Sequence, residues 1–225
     1  MSDIIDRIIN LMKWPIAVWL FCSLPALFKS LDAFSFTSLQ YAVMAAGFFM
    51  FFVGRTMMDS ASRTSMMVLA HELTHAFFAV ITFHKVMYIN IKQDDTGGTM
   101  SFEGEGNWLI IIGPYFFPLY CFLFMVFVGV YTMFAPMNLF FNLILGFFLG
   151  FHFDMVGSQI HEKQTDLPKV GYPFCAVFLL PANLWLIGFV LAFNSKGWHG
   201  VALYQKLIIS LNERNIDYLM NLVGF

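Results

Sequence analysis

Two histidines and a glutamate lie within five consecutive residues, at a spacing that suits a metal ion. The segment is His71-Glu72-Leu73-Thr74-His75, which has the HExxH pattern. On a helix, residues four apart share a face, so both imidazoles can reach one metal ion. Glu72 would then lie beside the metal, where a general base must be to take a proton from water. The pattern predicts a Zn²⁺ site with Glu72 as the general base.

This polar segment is embedded in an apolar stretch. Met66–Ala70 precede it, and Ala76–Val80 follow it. A charged residue at the centre of a membrane helix costs about 2.5–3.5 kcal/mol on insertion scales, so it is expected to have a function. The alternative is a polar cluster that only joins helices through hydrogen bonds. The HExxH spacing favours the metal site.

The composition of the whole chain is that of an integral membrane protein. Of its 225 residues, 59% are hydrophobic and only 12% are charged, whereas a soluble domain has about 25% charged residues. Such a chain cannot cover its apolar surface with polar groups, so a water-soluble monomer and a disordered chain are excluded. The formal net charge of −2 offers no basic surface to nucleic acid. The three cysteines lie in apolar stretches, which excludes a disulfide framework.

Six apolar stretches approach the roughly 20 residues that a membrane-spanning helix needs. They are Trp14–Phe28, Leu39–Gly54, Met66–Phe83, Trp108–Phe134, Met137–Phe153 and Tyr172–Phe193. In the polar segment Lys85–Asn107, two β-prone runs flank a Gly-containing turn and predict a hairpin. The predicted fold class is therefore an all-α polytopic membrane protein, with about six transmembrane helices and a small β-hairpin in a membrane-associated loop.

The chain is predicted to be one transmembrane domain over residues 1–225, with a catalytic core at about 60–185. Apolar residues at helical spacing predict an amphipathic helix at about 200–223, and a similar face begins at Ile4; each helix either lies on the membrane surface or packs on the bundle. Six crossings place both termini on one side, together with seven of the 12 Lys and Arg residues. Arg63 is among these seven, and Lys169 falls on the other side. The positive-inside rule then favours cytoplasmic termini, in a plasma or inner membrane.

The segment His71–Ala76 resembles the HELGHA-type signature of the site-2 protease-like intramembrane zinc metalloproteases, with Thr74 in place of the usual Gly. The predicted hairpin occupies the place of that family's β-structured membrane loop. Gly113-Pro114 resembles the family's Gly-Pro motif, although the Asn often found a few residues later is absent. The resemblance covers about Met66–Leu180, half of the chain, and points to a divergent branch of the family.

A catalytic zinc needs three protein ligands and one open position, and the resemblance implies that the third ligand is a downstream aspartate. The candidates are Asp166 and Asp154. Thr165-Asp166-Leu167 resembles the Ser-Asp-Ala element of a divergent branch, so we favour Asp166, at a helix start where backbone N–H groups would orient it. Asp154 then has a supporting or interfacial role. His152 and His161 stay open as alternative ligands, although such histidines more often make an interfacial hydrogen bond.

Together these features predict a zinc endopeptidase that cleaves transmembrane or membrane-anchored protein segments within or beside the lipid bilayer. His71, His75 and Asp166 would bind zinc, and Glu72 would activate water. Two other hypotheses remain: a membrane metalloprotein without peptidase activity (a pseudoprotease or scaffold), and a transporter that uses the HExxH residues as an ion or proton relay. The absence of internal repeats counts against a transporter. The sequence does not determine the oligomeric state.

Overall fold

The computed structural model describes residues 1–91, 97–160 and 164–223. Most of them are helical, and a two-stranded antiparallel sheet follows the fourth helix. The elements are α1 (Ser2–Cys22), α2 (Leu24–Ser30), α3 (Leu39–Thr56), α4 (Ser60–Ile81), β1 (Val86–Ile91), β2 (Gly98–Phe102), α5 (Trp108–Ile112), α6 (Leu119–Tyr131), α7 (Leu139–Gln159), α8 (Asp166–Val170) and α9 (Tyr172–Val223). Residues Asp94–Thr96 of the predicted hairpin turn, Asp94–Gly98, and the candidate ligand His161 lie outside the described residues.

Within the described residues, four helices are long and apolar enough to cross a membrane, namely α3, α4, α7 and α9. The bent pairs α1–α2 and α5–α6 raise the number to six when each pair counts as one span. In the hairpin, β1 pairs with β2, with Ile89 opposite Met100 and Ile91 opposite Gly98. The predicted fold class, an all-α polytopic membrane protein with a small β-hairpin, is confirmed.

Helices α3 and α7 pack in close contact and run parallel. A side chain at Gly47 would collide with the carbonyl of Leu143, and one at Gly146 with the carbonyl of Met44, so glycine allows the two backbones to approach. These contacts join the first halves of the two helices, and Arg55 at the end of α3 pairs with Asp154 near the end of α7, so the helices run in the same direction. The ends of α3 and α7 therefore lie on the same side of the protein.

Helix α4 runs in the opposite direction to α7, since Met67 in its first half contacts Ser158 at the end of α7 (Sδ to Oγ, 3.3 Å). Helix α6 is also antiparallel to α7, because Tyr131 at its end packs on Phe141 near the start of α7. It follows that α6 runs parallel to α4 and ends on the side where α4 ends.

The segment α5–α6 also begins on that side. Asn107, which precedes α5, and His84, which follows α4, both bind the carboxylate of Asp6. The pair bends by 89° between its two helices, at Gly113–Tyr115 and the residues that follow. The stretch Trp108–Phe134, predicted from its length to cross the membrane, therefore enters and leaves on one side.

This correction changes the distribution of charge between the two sides. Arg63 and Lys169 line the same cavity, although six successive crossings would separate them. The count of seven against five Lys and Arg residues, which favours cytoplasmic termini, assigns these two residues to opposite sides and is therefore not valid in that form. The location of the termini stays a prediction.

Helix α9 reverses direction at Lys196 and Gly197, whose backbone angles are not helical. Gly197 has a φ of +57°, a conformation that glycine adopts without the penalty of a Cβ atom. Beyond the reversal, Tyr204 packs against Gly188, so the two segments of α9 lie side by side. The predicted C-terminal amphipathic helix thus packs on the bundle.

Candidate metal centre

Helix α4 carries the HExxH segment across the interior of the protein. The Asp59 side chain caps its start by accepting a hydrogen bond from the N–H of Ser62 at 2.8 Å. His71, Glu72 and His75 are all buried. Their burial in an apolar bundle is costly unless hydrogen bonds or a metal ion compensate for it.

Three donor atoms converge at one point in the bundle. The Nε2 atoms of His71 and His75 are 3.0 Å apart, and each lies 3.3 Å from Oδ2 of Asp166. Tetrahedral zinc with bonds of about 2.0–2.2 Å holds its ligand atoms roughly 3.3–3.6 Å apart. Small adjustments would bring the three atoms to these spacings, so they fit a zinc ion. In the described part of the chain, these residues are the only such group of potential ligands.

His75 is held in the tautomer that a metal ligand needs. Its Nδ1 donates a hydrogen bond to the carbonyl oxygen of Ile110 at 2.7 Å. A carbonyl can only accept, so the proton of neutral His75 is on Nδ1. Its Nε2 atom therefore has a free lone pair, which faces the other candidate ligand atoms, Nε2 of His71 and Oδ2 of Asp166. The Nδ1 atom of His71 is buried and has no hydrogen-bond partner among the described residues.

Side chains hold the carboxylate of Asp166. Tyr115 donates its hydroxyl to Oδ2 at 3.2 Å, and the Lys169 Nζ lies 3.6 Å from Oδ1. The sequence predicts backbone N–H groups in this role, but α8 is one short turn and its described contacts to the carboxylate come from side chains. Burial favours the neutral acid, yet the contacts of its carboxylate with the His71 and His75 imidazoles lower the pKa of Asp166 well below its ordinary value.

Glu72 faces a cavity of about 820 Å³, which also reaches His71, His75 and Asp166. Strand β2 forms one wall of this cavity, and the Glu72 carboxylate interacts with the backbone N–H of Met100 in that strand. A carboxylate that lies beside the candidate metal ligands and faces a cavity large enough for several water molecules is placed to accept a proton from water.

The alternative ligands lie elsewhere. Asp154 forms an ion pair with Arg55, with 3.0 Å between Oδ2 and Nε. His152 is buried in α7 beside Asn183. Neither belongs to the group of potential ligands described above. The structure thus brings together the three favoured residues, and their binding of zinc stays a prediction.

Several residues that contact the candidate zinc ligands are not predicted from the sequence. Tyr115 follows the Gly113-Pro114 motif, and that position could have indicated it. The carbonyl of Ile110 gives no sequence signal, because every residue has a carbonyl. Lys169 is three residues after Asp166, one helical turn away, and could have been identified from this spacing.

A family model described as Peptidase M50B-like matches residues 41–156, just over half of the chain. The matched region runs from α3 into α7, so it contains His71, Glu72, His75 and Asp154 but not Asp166. No curated protein and no solved structure matches the chain.

Proposed function

The chain belongs to the peptidase M50B-like family, membrane metallopeptidases of the site-2 protease kind, and on this premise we propose that it is an intramembrane zinc endopeptidase. Its substrates would be transmembrane or membrane-anchored protein segments. The observation that carries the proposal is the convergence of His71, His75 and Asp166 beside Glu72 at a cavity of about 820 Å³.

In the proposed mechanism, His71, His75 and Asp166 would hold the ion. When bound there, zinc would supply the Lewis acidity that polarises a peptide carbonyl and favours deprotonation of water near neutral pH. Glu72 takes the proton of the attacking water and delivers it to the leaving amine. Tyr115 and Lys169 keep the Asp166 carboxylate in place through their contacts with its two oxygens.

The cavity suits chemistry that needs water next to a bilayer. Arg63, Gln159 and Lys169 contribute polar side chains to its lining, whereas much of the outer surface is apolar, as in Phe49 and Val53 of α3. The chain is an integral membrane protein, and we propose that residues 1–225 form one domain with a catalytic core at about 60–185. The particular membrane and the side of the termini stay predictions.

Replacement of Glu72 tests this function. Glu72→Gln keeps the size of the side chain and removes the base, so we expect zinc to stay bound while cleavage falls by about 10²–10⁴-fold. The assay follows a single-span model peptide with Asn and Gly in its apolar segment, in nanodiscs, by mass spectrometry. Glu105→Gln, the same change at an exposed position, should cleave normally.

Metal analysis completes the test. His71→Ala and His75→Ala should lose zinc, because two remaining protein ligands bind it weakly. Cleavage by Glu72→Gln at the wild-type rate would contradict the mechanism. A zinc-loaded wild type without cleavage would favour a pseudoprotease or scaffold, and ion flux in liposomes would favour a transporter.

A further inference from the structure

The first half of helix α1 has one face whose polar side chains bind other parts of the protein and an opposite, apolar face that is exposed. Asp6, Asn10 and Lys13 lie at positions i, i+4 and i+7, so they share one face. Asp6 is only 6% exposed. The opposite face is exposed and apolar, with Ile4, Ile8 and Leu11. This polar stripe therefore has partners inside the protein, and α1 does not lie separately on the membrane surface.

Both oxygens of Asp6 are used. Oδ2 accepts a hydrogen bond from Nε2 of His84 at 2.9 Å, and Oδ1 accepts one from Nδ2 of Asn107 at 2.7 Å. A carboxylate can only accept, so it fixes the orientation of the Asn107 amide with the NH₂ group towards Asp6.

The fixed amide of Asn107 leaves its Oδ1 free to cap α5. It accepts hydrogen bonds from the N–H groups of Leu109 and Ile110, at 3.1 and 3.2 Å. The carbonyl of the same Ile110 accepts the Nδ1 proton of His75. A continuous path of short contacts therefore runs from Asp6 through Asn107 and α5 to a candidate metal ligand.

The same face of α1 contacts the helix that carries the third donor. Lys13 donates from Nζ to the carbonyl of Val170 at 2.6 Å, at the end of the short helix that begins with Asp166. Asn10 accepts a hydrogen bond from the N–H of Trp108, the first residue of α5, at 3.2 Å. The helices α5 and α8, which carry Ile110 and Asp166, are thus both hydrogen-bonded to one face of α1.

We propose that α1 positions the metal centre and that Asp6 is its principal positioning residue. By orienting Asn107, Asp6 fixes the carbonyl partner of His75 and so determines which nitrogen of His75 faces Asp166. The inference rests on the proposed metal site, and it concerns a helix outside the family match at 41–156.

The test replaces Asp6 with leucine, which is similar in size and accepts no hydrogen bond. In metal-free full-length protein labelled with ¹⁵N-histidine, NMR should show His75 protonated on Nδ1 in the wild type and as a mixture of tautomers in Asp6→Leu. Zinc affinity, measured by competition with a chelator, should fall about tenfold, as is usual when the partner of a ligand is lost. Asp3→Leu, at an exposed position of the same helix, should change neither quantity.

Two further variants separate positioning from general damage. Asn107→Ala interrupts the same path after Asp6 and should reproduce both changes, and it decides the question if Asp6→Leu does not fold. Asp6→Asn keeps an acceptor for Asn107 and should recover most of the zinc affinity. A wild-type His75 tautomer with wild-type zinc affinity in Asn107→Ala would overturn the proposal. The tautomer is read without metal or substrate, so a wild type that cleaves nothing would count against the proposed function alone.

Discussion

One oxygen atom, Oδ2 of Asp166, is where three side chains of the centre meet. It contacts the Nε2 atoms of His71 and His75 and the hydroxyl of Tyr115, all within 3.3 Å. The other oxygen has only the Lys169 contact among those described. The arrangement favours binding of a metal ion through one oxygen, with Tyr115 limiting the rotation of the carboxylate.

Substitution of the two aspartates distinguishes a ligand from a structural residue. Asp166→Ala should release zinc, because only two protein ligands remain. Asp154→Ala should keep zinc but reduce the free energy of unfolding by about 1–3 kcal/mol, between the values for exposed and buried ion pairs, since Arg55 loses its partner. Zinc content and thermal unfolding in detergent measure the two effects. Loss of zinc from Asp154→Ala alone would reverse the assignment.

For single residues, the sequence predicts contacts between close neighbours in the chain well and contacts between residues far apart in the chain poorly. The pairing of His71 with His75 follows from helical periodicity. Asp166 is 95 residues from His71, and it is selected over Asp154 only by a family resemblance and an expected helix start. The Ile110 carbonyl becomes a partner of His75 through the path of the backbone, which side-chain identities do not reveal.

Among the elements, the contact between β2 and α4 places the candidate base. At Gly98 a Cβ atom would lie 2.8 Å from Cγ of Glu72 and 2.6 Å from Cγ1 of Val68. Distances below 3.0 Å are not tolerated, so glycine allows the strand to approach the helix at Glu72, the proposed base.

An alanine at Gly98 tests this contact. Gly98→Ala should displace Glu72 and slow cleavage about 10–100-fold, because small errors in the position of a catalytic group are costly. Zinc content should stay the same, since the three atoms nearest the added methyl group belong to Val68 and Glu72 rather than to a candidate zinc ligand. Gly157→Ala, where a Cβ meets nothing within 4 Å, is the matched control. Wild-type cleavage by Gly98→Ala would show that the strand does not constrain Glu72.

The elements also show which sequence predictions fail. Apolar length identifies α3, α4 and α7, because each is one uninterrupted helix. It fails for Trp108–Phe134, where Pro114 and Pro118 lack the N–H groups that a continuous helix uses. Hydropathy reports only that a segment is apolar, so it does not separate a crossing from a segment that turns back at Tyr115.

For the whole molecule, the re-entrant pair α5–α6 determines which loops lie on the same side of the membrane. Cysteines introduced at Met57 and Lys169 should react with a membrane-impermeant maleimide from the same side, and one at Phe134 from the opposite side. The native Cys22, which is exposed, is first replaced by serine. Six successive crossings would put Met57 and Phe134 together and Lys169 opposite them, so labelling in that pattern would contradict the structure.

The wide separation of the donors along the chain has a consequence for synthesis. The HExxH helix leaves the ribosome early, whereas Asp166 follows after most of the bundle has been made. At about 5–20 residues per second, the interval lasts roughly 5–20 s. During this time the nascent chain has two donors and no third, so the centre forms only after α1 to α7 have been made. Late completion would protect neighbouring nascent membrane proteins from premature hydrolysis.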